Sequence, residues 1–352
     1  MSKVQICKLC EAKEASSIKS HIFSHFFIKS MINPISDNKR GIGRSFQMSG
    51  TGGTKTFFER NVSMKDYDRL FGHADLTDEQ LTELRMDPYS EPFILCSRCE
   101  KRMGIVEDYF NDNVFYTLFE DEKVNNAISA CSHNSDLIKL FFLSMIWRAS
   151  IAEFDNFKID AEIENRLKEI LNTSIGDDLD STIELVEQNK DEIKKEGVCC
   201  ITSRVFCDVT ANQILIENCT NPYFFEINEY SVCYFGTSED HAIQEDLFGL
   251  ESHINEETIN QNEDEFKIAI ISNQEWNIKR NRIMQKKAIE FIQHVKQKLV
   301  NNYFDRNKKA PKEQIIQAFG HELIHGRGTT LALRYSDDRI EHLIAKYIKY
   351  DA

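Results

Sequence analysis

The chain has 352 residues, of which 41% are hydrophobic and 28% are charged, and its formal net charge is −14. This length and composition predict two or three domains with hydrophobic cores, and they exclude a chain that is disordered throughout. Ten cysteines, with no signal-peptide pattern and no apolar run of about 18 residues, indicate a soluble protein of the reducing cytoplasm without a membrane segment.

Two Cys-x-x-Cys pairs lie in the first hundred residues, Cys7/Cys10 and Cys96/Cys99. Four thiolates in two such pairs can complete a tetrahedral Zn²⁺ site. The alternatives are two reduced, buried pairs or a redox pair, although neither pair lies in the βαβ pattern of thioredoxin-like proteins. The spacing therefore predicts a structural zinc site in the N-terminal third of the chain.

The residues around these pairs resemble the treble-clef, ββα-metal finger of HNH nucleases. Ser20-His21-Ile22-Phe23 follows the first pair, and Glu100 directly follows the second. In that family one pair lies on an opening knuckle, the other lies at the start of a helix, and a His lies on a strand that faces this helix. The family also tolerates insertions between its strand and its helix, as the 85 residues between Cys10 and Cys96 would require.

The resemblance extends to a second element further along the chain. The run Phe141-Phe142-Leu143-Ser144-Met145-Ile146-Trp147-Arg148-Ala149-Ser150 is similar to an Ile-Leu-Trp-Arg-Ala helix in a less-studied bacterial branch of HNH-like proteins. The likeness covers about residues 5–155.

What this resemblance implies is a metal-dependent endonuclease. His21 would accept a proton from the water that attacks phosphorus, and a divalent cation, Mg²⁺ or Mn²⁺, would stabilise the transition state. Glu100 stands where the family carries a metal ligand, and Glu107 lies on the same helical face. Ser20 stands where most such fingers carry Asp or His.

Each of these residues also has a structural interpretation. His21 could be a hydrogen-bonded core histidine or a zinc ligand. Glu100 could cap the first turn of its helix, and Glu107 could be a solvated helix residue.

Charge is distributed unevenly along the chain. Residues 1–60 hold ten Lys/Arg against four Asp/Glu, a net charge of +6, whereas the remaining residues carry −20. A nucleic-acid face would therefore lie at this end, in a Gly-rich basic insertion that we predict to be a mobile loop. The residues predicted to bind nucleic acid, DNA ahead of RNA, are Lys39, Arg40, Arg44 and Lys55. The alternative is a solvated linker with incidental charge.

The hydrophobic period changes along the rest of the chain. Residues 114–196 predict helices, including Ala161–Leu171 and Ser181–Lys195. Residues 197–236 predict a small antiparallel sheet. Residues 239–265 are acidic and predict a surface loop, and the last ninety residues predict helices.

A C-terminal motif indicates a different chemistry. His321-Glu322-Leu323-Ile324-His325 matches His-Glu-x-x-His. On a helix, His321 and His325 would share one face and could bind zinc, with Glu322 as the general base of a metalloprotease. Leu331 occupies the position at which metzincins carry a third His, which favours two surface or capping histidines.

The predicted fold class is α+β: an N-terminal treble-clef zinc finger, a helical middle, a small antiparallel sheet and C-terminal helices. The predicted domains are an HNH-like zinc finger with a basic Gly-rich insertion at 1–125, and a regulatory or partner-binding domain at 126–352.

The predicted function is metal-dependent cleavage of nucleic acid, in a role such as defence against phage or mobile DNA. The alternative is a non-catalytic zinc-finger module that binds nucleic acid or protein, and a His-Glu-x-x-His metalloprotease comes third. A protein partner or a homo-oligomer would control the nuclease, and no membrane contact is expected.

Overall fold

The computed structural model describes residues 5–32, 44–49, 53–58, 77–78, 89–115, 127–130, 134–203, 214–217, 219–227, 229–244, 246–325 and 337–349. The chain divides into two compact units, residues 1–35 with 88–279 and residues 36–87 with 280–352. These bounds differ from those of the two predicted domains, 1–125 and 126–352, and that division stays a prediction. Helices and strands are mixed, as the α+β class requires.

The N-terminal part of the first unit consists of short elements. β1 (Ser20–His21) pairs antiparallel with β4 (Ser90–Glu91) over two residue pairs. α1 (His25–Ile32) follows β1. α2 (Ser97–Phe110) follows β4 and continues into a π-helical turn, Asn111–Phe115.

Three longer helices follow in the same unit: α3 (Ser135–Ile151), α4 (Ala161–Ser174) and α5 (Leu179–Lys195). Apart from its first two residues, every residue of α3 is buried, because α3 is apolar on all sides and lies in the core. The helices predicted at Ala161–Leu171 and Ser181–Lys195 are confirmed.

A six-stranded mixed sheet completes the first unit. In spatial order its strands are β5 (Ala127–Ala130), β10 (Lys267–Ile271), β6 (Gly197–Ser203), β9 (Tyr230–Gly236), β8 (Tyr223–Ile227) and β7 (Ile214–Glu217). β10 runs parallel to β6, and every other neighbouring pair is antiparallel.

The predicted sheet was correct for four strands and wrong in its extent. β5 lies among the residues predicted as helices, and β10 lies among the last ninety residues, which were also predicted as helices. The reason is physical: a short apolar run such as Lys267–Ile271 fits a helix or a strand equally well by its period, and the neighbouring strands decide between them.

One hydrophobic core includes side chains from the N-terminal elements, the long helices and the sheet. Phe110 of α2 stacks on Phe141 of α3, with ring centroids 4.1 Å apart and an interplanar angle of 11°. Tyr230 of β9 contacts Phe27 of α1, with ring centroids 5.0 Å apart. Stacked and edge-to-face rings of this kind stabilise a core beyond their burial, so α1 and α2 are held by the body of the unit.

The acidic segment before β10 is not a surface loop throughout. It contains α6 (Glu256–Ile259), which ends at Asn260, a residue that is 1% exposed. The Asn260 side-chain amide donates to the carbonyl oxygens of Val198 and Lys267, at 2.9 Å each. The predicted loop is wrong here because charge marks only the exposed side chains, and a single buried amide fixes the backbone.

The C-terminal helices are α7 (Asn273–Asn307), α8 (Glu313–His325) and α9 (Asp337–Lys349). From Phe291 onward their apolar side chains form a separate hydrophobic cluster. Helices after β10 were predicted and are confirmed. None of the helices in the described part of the chain combines the length and the apolar composition that crossing a bilayer requires.

The Gly-rich insertion contains a strand pair where a mobile loop was predicted. β2 (Arg44–Ser49) pairs antiparallel with β3 (Gly53–Phe58), so the loop prediction is wrong for these residues. Phe, Met and Thr side chains suit strands, and the glycines between them suit a turn.

Candidate metal centre

The first Cys pair lies on a tight hairpin turn. The amide of Cys7 donates to the carbonyl oxygen of Lys13 at 2.9 Å, and the amide of Glu11 donates to the carbonyl oxygen of Cys7 at 3.0 Å. Glu11 has a left-handed backbone, with φ of 52°, which reverses the chain directly after Cys10. The turn therefore forms a knuckle with a cysteine at each side.

The second Cys pair lies at the start of α2. Cys96 is the N-cap residue with an extended backbone, and Cys99 lies in the first turn. The amide of Lys8, from the knuckle, donates to the carbonyl oxygen of Ile94 at 2.9 Å. Main-chain hydrogen bonding therefore joins the two segments that carry the cysteines.

The four sulfur atoms converge. The Sγ atoms of Cys7, Cys10, Cys96 and Cys99 all lie within 4.8 Å of one another, and those of Cys10 and Cys96 are 3.9 Å apart. In a tetrahedral site with Zn–S bonds of about 2.3 Å, neighbouring sulfurs lie about 3.8 Å apart. The geometry and the sulfur donor set fit a metal ion such as zinc.

The crowding of these thiols changes their protonation. A hydrogen bond from Cys99 lowers the pKa of Cys7 to about 4; burial opposes this shift, and the amides of neighbouring residues add to it. The pKa of Cys99 is raised, first by its hydrogen bond to Cys7 and then by burial. One thiolate is therefore already favoured, and thiolates are the form that binds a metal.

An arginine beside the cluster joins α2 to the following helices. Arg102 is buried, and its guanidinium donates to the carbonyl oxygens of Asn172 and Ile175 at 2.6 and 2.8 Å. Its Nη1 atom lies 4.0 Å from Cys99 Sγ. Arg102 therefore links the first turn of α2, at Cys99, to the C-terminal end of α4.

His21 lies on β1, close to a second imidazole. In the β1–β4 ladder it stands opposite Ser90. Its ring centroid is 5.4 Å from that of His25, which is exposed at the start of α1. His21 itself is half-buried, so a reagent in solution can reach part of its surface.

Arg148 of α3 connects the strand of His21 with α2. Its Nη1 atom donates to the carbonyl oxygen of His21 at 2.8 Å. Its Nη2 atom lies 2.5 Å from Glu107 Oε1, so the two side chains form an ion pair. Glu107 is therefore not the solvated helix residue of the alternative interpretation, since its charge is neutralised by Arg148.

A row of oxygen atoms runs along one face of α2. Glu100 and Glu107 are seven residues apart, and Asn111 follows one turn later, so all three share a face. Within the described part of the chain, Glu100 Oε2 and Asn111 Oδ1 are buried without a hydrogen-bond partner. Buried acceptors of this kind indicate a bound water or cation.

The predicted nucleic-acid residues are only partly within the described residues. Lys39 and Arg40 lie outside them. Arg44 and Lys55 lie in the β2–β3 ladder, opposite Phe58 and Gln47 respectively. Their role in binding stays a prediction.

The His-Glu-x-x-His motif lies on α8, as predicted. The ring centroids of His321 and His325 are 4.8 Å apart. The carboxylate of Glu322 accepts hydrogen bonds from Lys346 Nζ at 2.7 Å and from the Tyr347 hydroxyl at 2.6 Å. Lys346 and then Tyr347 lower the pKa of Glu322. Glu322 therefore contacts α9 rather than standing free as a general base.

Glu341 is the candidate third ligand for a metal ion on the two histidines. Its carboxylate already forms an ion pair with Lys298. Across the described ranges, the four cysteines are the one group of three or more His, Cys, Asp or Glu side chains that could hold a metal ion.

Glu322→Gln is expected to leave the metal content of the protein unchanged and to lower its stability by less than about 1 kcal/mol, because partly exposed ion pairs contribute little. Metal analysis and thermal unfolding of the variant and the wild type check both expectations. A second bound zinc that disappears in His325→Ala would support the metalloprotease instead.

No protein-family model, no curated protein and no solved structure matches this chain.

Sequence reasoning found the cysteines because their spacing is local, and it missed the roles of Arg102 and Arg148. Both are buried arginines on helices. A signal was present for Arg148, since it is a charged residue within an otherwise apolar helix, and such a charge requires a partner. The identity of the partners depends on distant segments.

Proposed function

We propose that residues 5–155 form a treble-clef, ββα-metal finger of the HNH type, which binds structural Zn²⁺ and cleaves nucleic acid. The main support is that the knuckle and the strand of His21 are both connected to one helix, α2. The sulfur cluster joins the knuckle to the start of α2, and Arg148 joins the strand of His21 to Glu107 further along α2. A knuckle, a two-stranded hairpin with a histidine and a helix are the parts that such a finger needs.

His21 is the proposed general base. An imidazole that is half-buried is reachable from solution and can take a proton from a water molecule that attacks phosphorus.

Glu100 is the proposed ligand for a catalytic Mg²⁺ or Mn²⁺, which would stabilise the negative charge of the transition state. Among the residues described, its Oε2 atom has no hydrogen-bond donor although it is buried. Glu107 is a weaker candidate because Arg148 already neutralises it. Glu100 lies in the first turn of α2, where the helix dipole also favours a carboxylate, but no side-chain hydrogen bond caps this helix.

The proposed substrate is DNA ahead of RNA, and the proposed control is a protein partner or a homo-oligomer. Residues 1–60 have a net charge of +6, but the whole chain is at −14. Because a negative body repels a phosphate backbone, unassisted binding should be weak and strongly salt-dependent. Low intrinsic affinity would limit damage to the host's own nucleic acid, as a defence role requires.

Purified full-length protein is expected to cleave nucleic acid in the presence of Mn²⁺ or Mg²⁺ and to stop when EDTA chelates the added cation. The assay compares single-stranded DNA, double-stranded DNA and RNA of one sequence at low salt, with product lengths read on denaturing gels. Cleavage of DNA faster than RNA supports the proposal. Cleavage that persists in EDTA contradicts the cation-dependent chemistry.

A non-catalytic zinc-finger module is the second candidate. The observation that favours it is the lack, within the described ranges, of any cation-binding group of three side chains other than the four cysteines. Ser20, on β1 beside His21, adds a hydroxyl where a carboxylate would bind a cation better. Binding of any of the three substrates in a native gel-shift experiment, without cleavage on the denaturing gels, would favour this candidate.

A further inference from the structure

We propose that Arg148 is a positioning residue that fixes His21 relative to the metal-bearing helix α2. This inference rests on the proposed function, because it assigns Arg148 a part in the reaction of His21. Arg148 would act through the main chain of His21 and not through contact with substrate.

Burial of Arg148 is the first argument. The residue is 1% exposed, on a helix whose other buried side chains are mostly apolar. Placing a charge in such an environment costs free energy unless hydrogen bonds and an opposite charge compensate it. An aliphatic side chain would fill the same space at a lower cost, so the guanidinium must satisfy a more specific requirement.

The second argument is what the guanidinium contacts. Nη1 donates to the carbonyl oxygen of His21 at 2.8 Å, and Nη2 pairs with Glu107 at 2.5 Å. Nε donates to the carbonyl oxygen of Ser144 at 3.3 Å, and Nη2 donates to its hydroxyl at 3.4 Å. Because the guanidinium is planar and rigid, these contacts fix its orientation and therefore fix the direction in which Nη1 points.

The third argument is the small size of the strand pair that carries His21. Among the residues that the structure describes, β1 and β4 pair at Ser20 with Glu91 and at His21 with Ser90, and at no other position. Beside this ladder, the Ile22 amide donates to the Tyr89 carbonyl oxygen at 2.7 Å, and Ser16 donates to Leu95 and accepts from Phe93 at 2.8 Å each. An isolated two-stranded hairpin of this size is not stable in water, so the position of His21 depends on contacts from outside the hairpin.

The fourth argument excludes direct contact with a polymer. The Arg148 side chain is 2% exposed, and its donors already face His21, Glu107 and Ser144. A phosphate group could not reach it without breaking these contacts. Arg148 is therefore not a phosphate-binding arginine in this conformation, and positioning is the role that its geometry permits.

Arg148→Lys tests the proposal, since lysine keeps the charge but has no planar fork with which to contact two partners. We expect kcat to fall by about 10²-fold, the size of effect that a misplacement of about 1 Å produces, with KM nearly unchanged. Hydrogen exchange of the Ile22 amide should become faster in the variant, and this measurement does not depend on catalysis. Glu107→Gln, which removes the ion pair but keeps the shape, should cause smaller changes in the same direction.

A double variant separates positioning from a general structural effect. If Arg148 acts through His21, then His21→Ala with Arg148→Lys should cleave no more slowly than His21→Ala alone. Lys139→Arg is the matched control: Lys139 is the other buried cation of α3, and it donates to the carbonyl oxygens of Lys194 and Asn260. This control should leave kcat and the Ile22 exchange rate unchanged.

The outcomes distinguish the two proposals. If the single variant His21→Ala is inactive and the single variant Arg148→Lys keeps the wild-type kcat, the positioning role is overturned and the proposed function stays intact. Unchanged Ile22 exchange in Arg148→Lys also overturns the positioning role, whatever the kinetics show. A fully active His21→Ala removes His21 from the mechanism and, with it, the positioning role of Arg148, whereas a wild type that cleaves none of the three substrates overturns the proposed function.

Discussion

Replacing Cys96 with serine is expected to release the metal ion and to unfold the N-terminal part of the first unit. A metal ion held by the four cysteines would cross-link the knuckle to α2. Structural zinc contributes an apparent binding free energy of about 10–16 kcal/mol. This is as large as the whole stability of a typical domain, about 5–15 kcal/mol. The zinc content measured by metal analysis should fall from about one per chain to near zero, and hydrogen exchange across residues 5–32 should become faster.

Cys219→Ser is the control for this experiment. Cys219 is also buried but belongs to no metal-binding group in the described part of the chain, so its variant should keep the zinc. If a variant with serine at positions 7, 10, 96 and 99 keeps its full metal content, the four cysteines are not the metal site.

His21→Ala is expected to lower the cleavage rate by about 10²–10⁴-fold, because general base catalysis typically contributes this much. The zinc content should stay at the wild-type level, since His21 is not one of the four sulfur ligands. Initial rates at saturating Mn²⁺ and metal analysis of the same samples measure both effects.

His25→Ala is the matched control, because its ring lies 5.4 Å from that of His21 and is exposed. Its rate should stay within several-fold of the wild type. Equal loss of rate in the two variants would mean that the imidazole pair, rather than His21, serves the reaction.

The parts of the molecule that could be predicted from sequence are those with local causes. The turn at Cys7 and Cys10 and the start of α2 at Cys96 and Cys99 follow from short motifs, and the four sulfurs come together. α4 and α5 follow from their helical period.

The parts that could not be predicted depend on distant partners. β10 is a strand because β6 lies parallel to it and β5 antiparallel, and no neighbour in sequence supplies either partner. The role of Arg148 depends on a carbonyl oxygen 127 residues away. The glycines and basic residues around the β2–β3 pair indicate a loop, whereas its Phe and Thr residues favour the strands that the structure contains.

The short ladder between β1 and β4 has an evolutionary consequence. The chain leaves β1 after His21 and returns to β4 at Ser90, and these two residues are directly opposite in the ladder, where Cα atoms lie about 4.5–5.5 Å apart. A segment that departs and returns at neighbouring points can grow or shrink at small entropic cost, about 0.6 kcal/mol for each doubling of its length. The ladder therefore sets no fixed length for the segment that connects His21 to Ser90, and insertions into that segment are expected to leave the sulfur cluster and α2 in place.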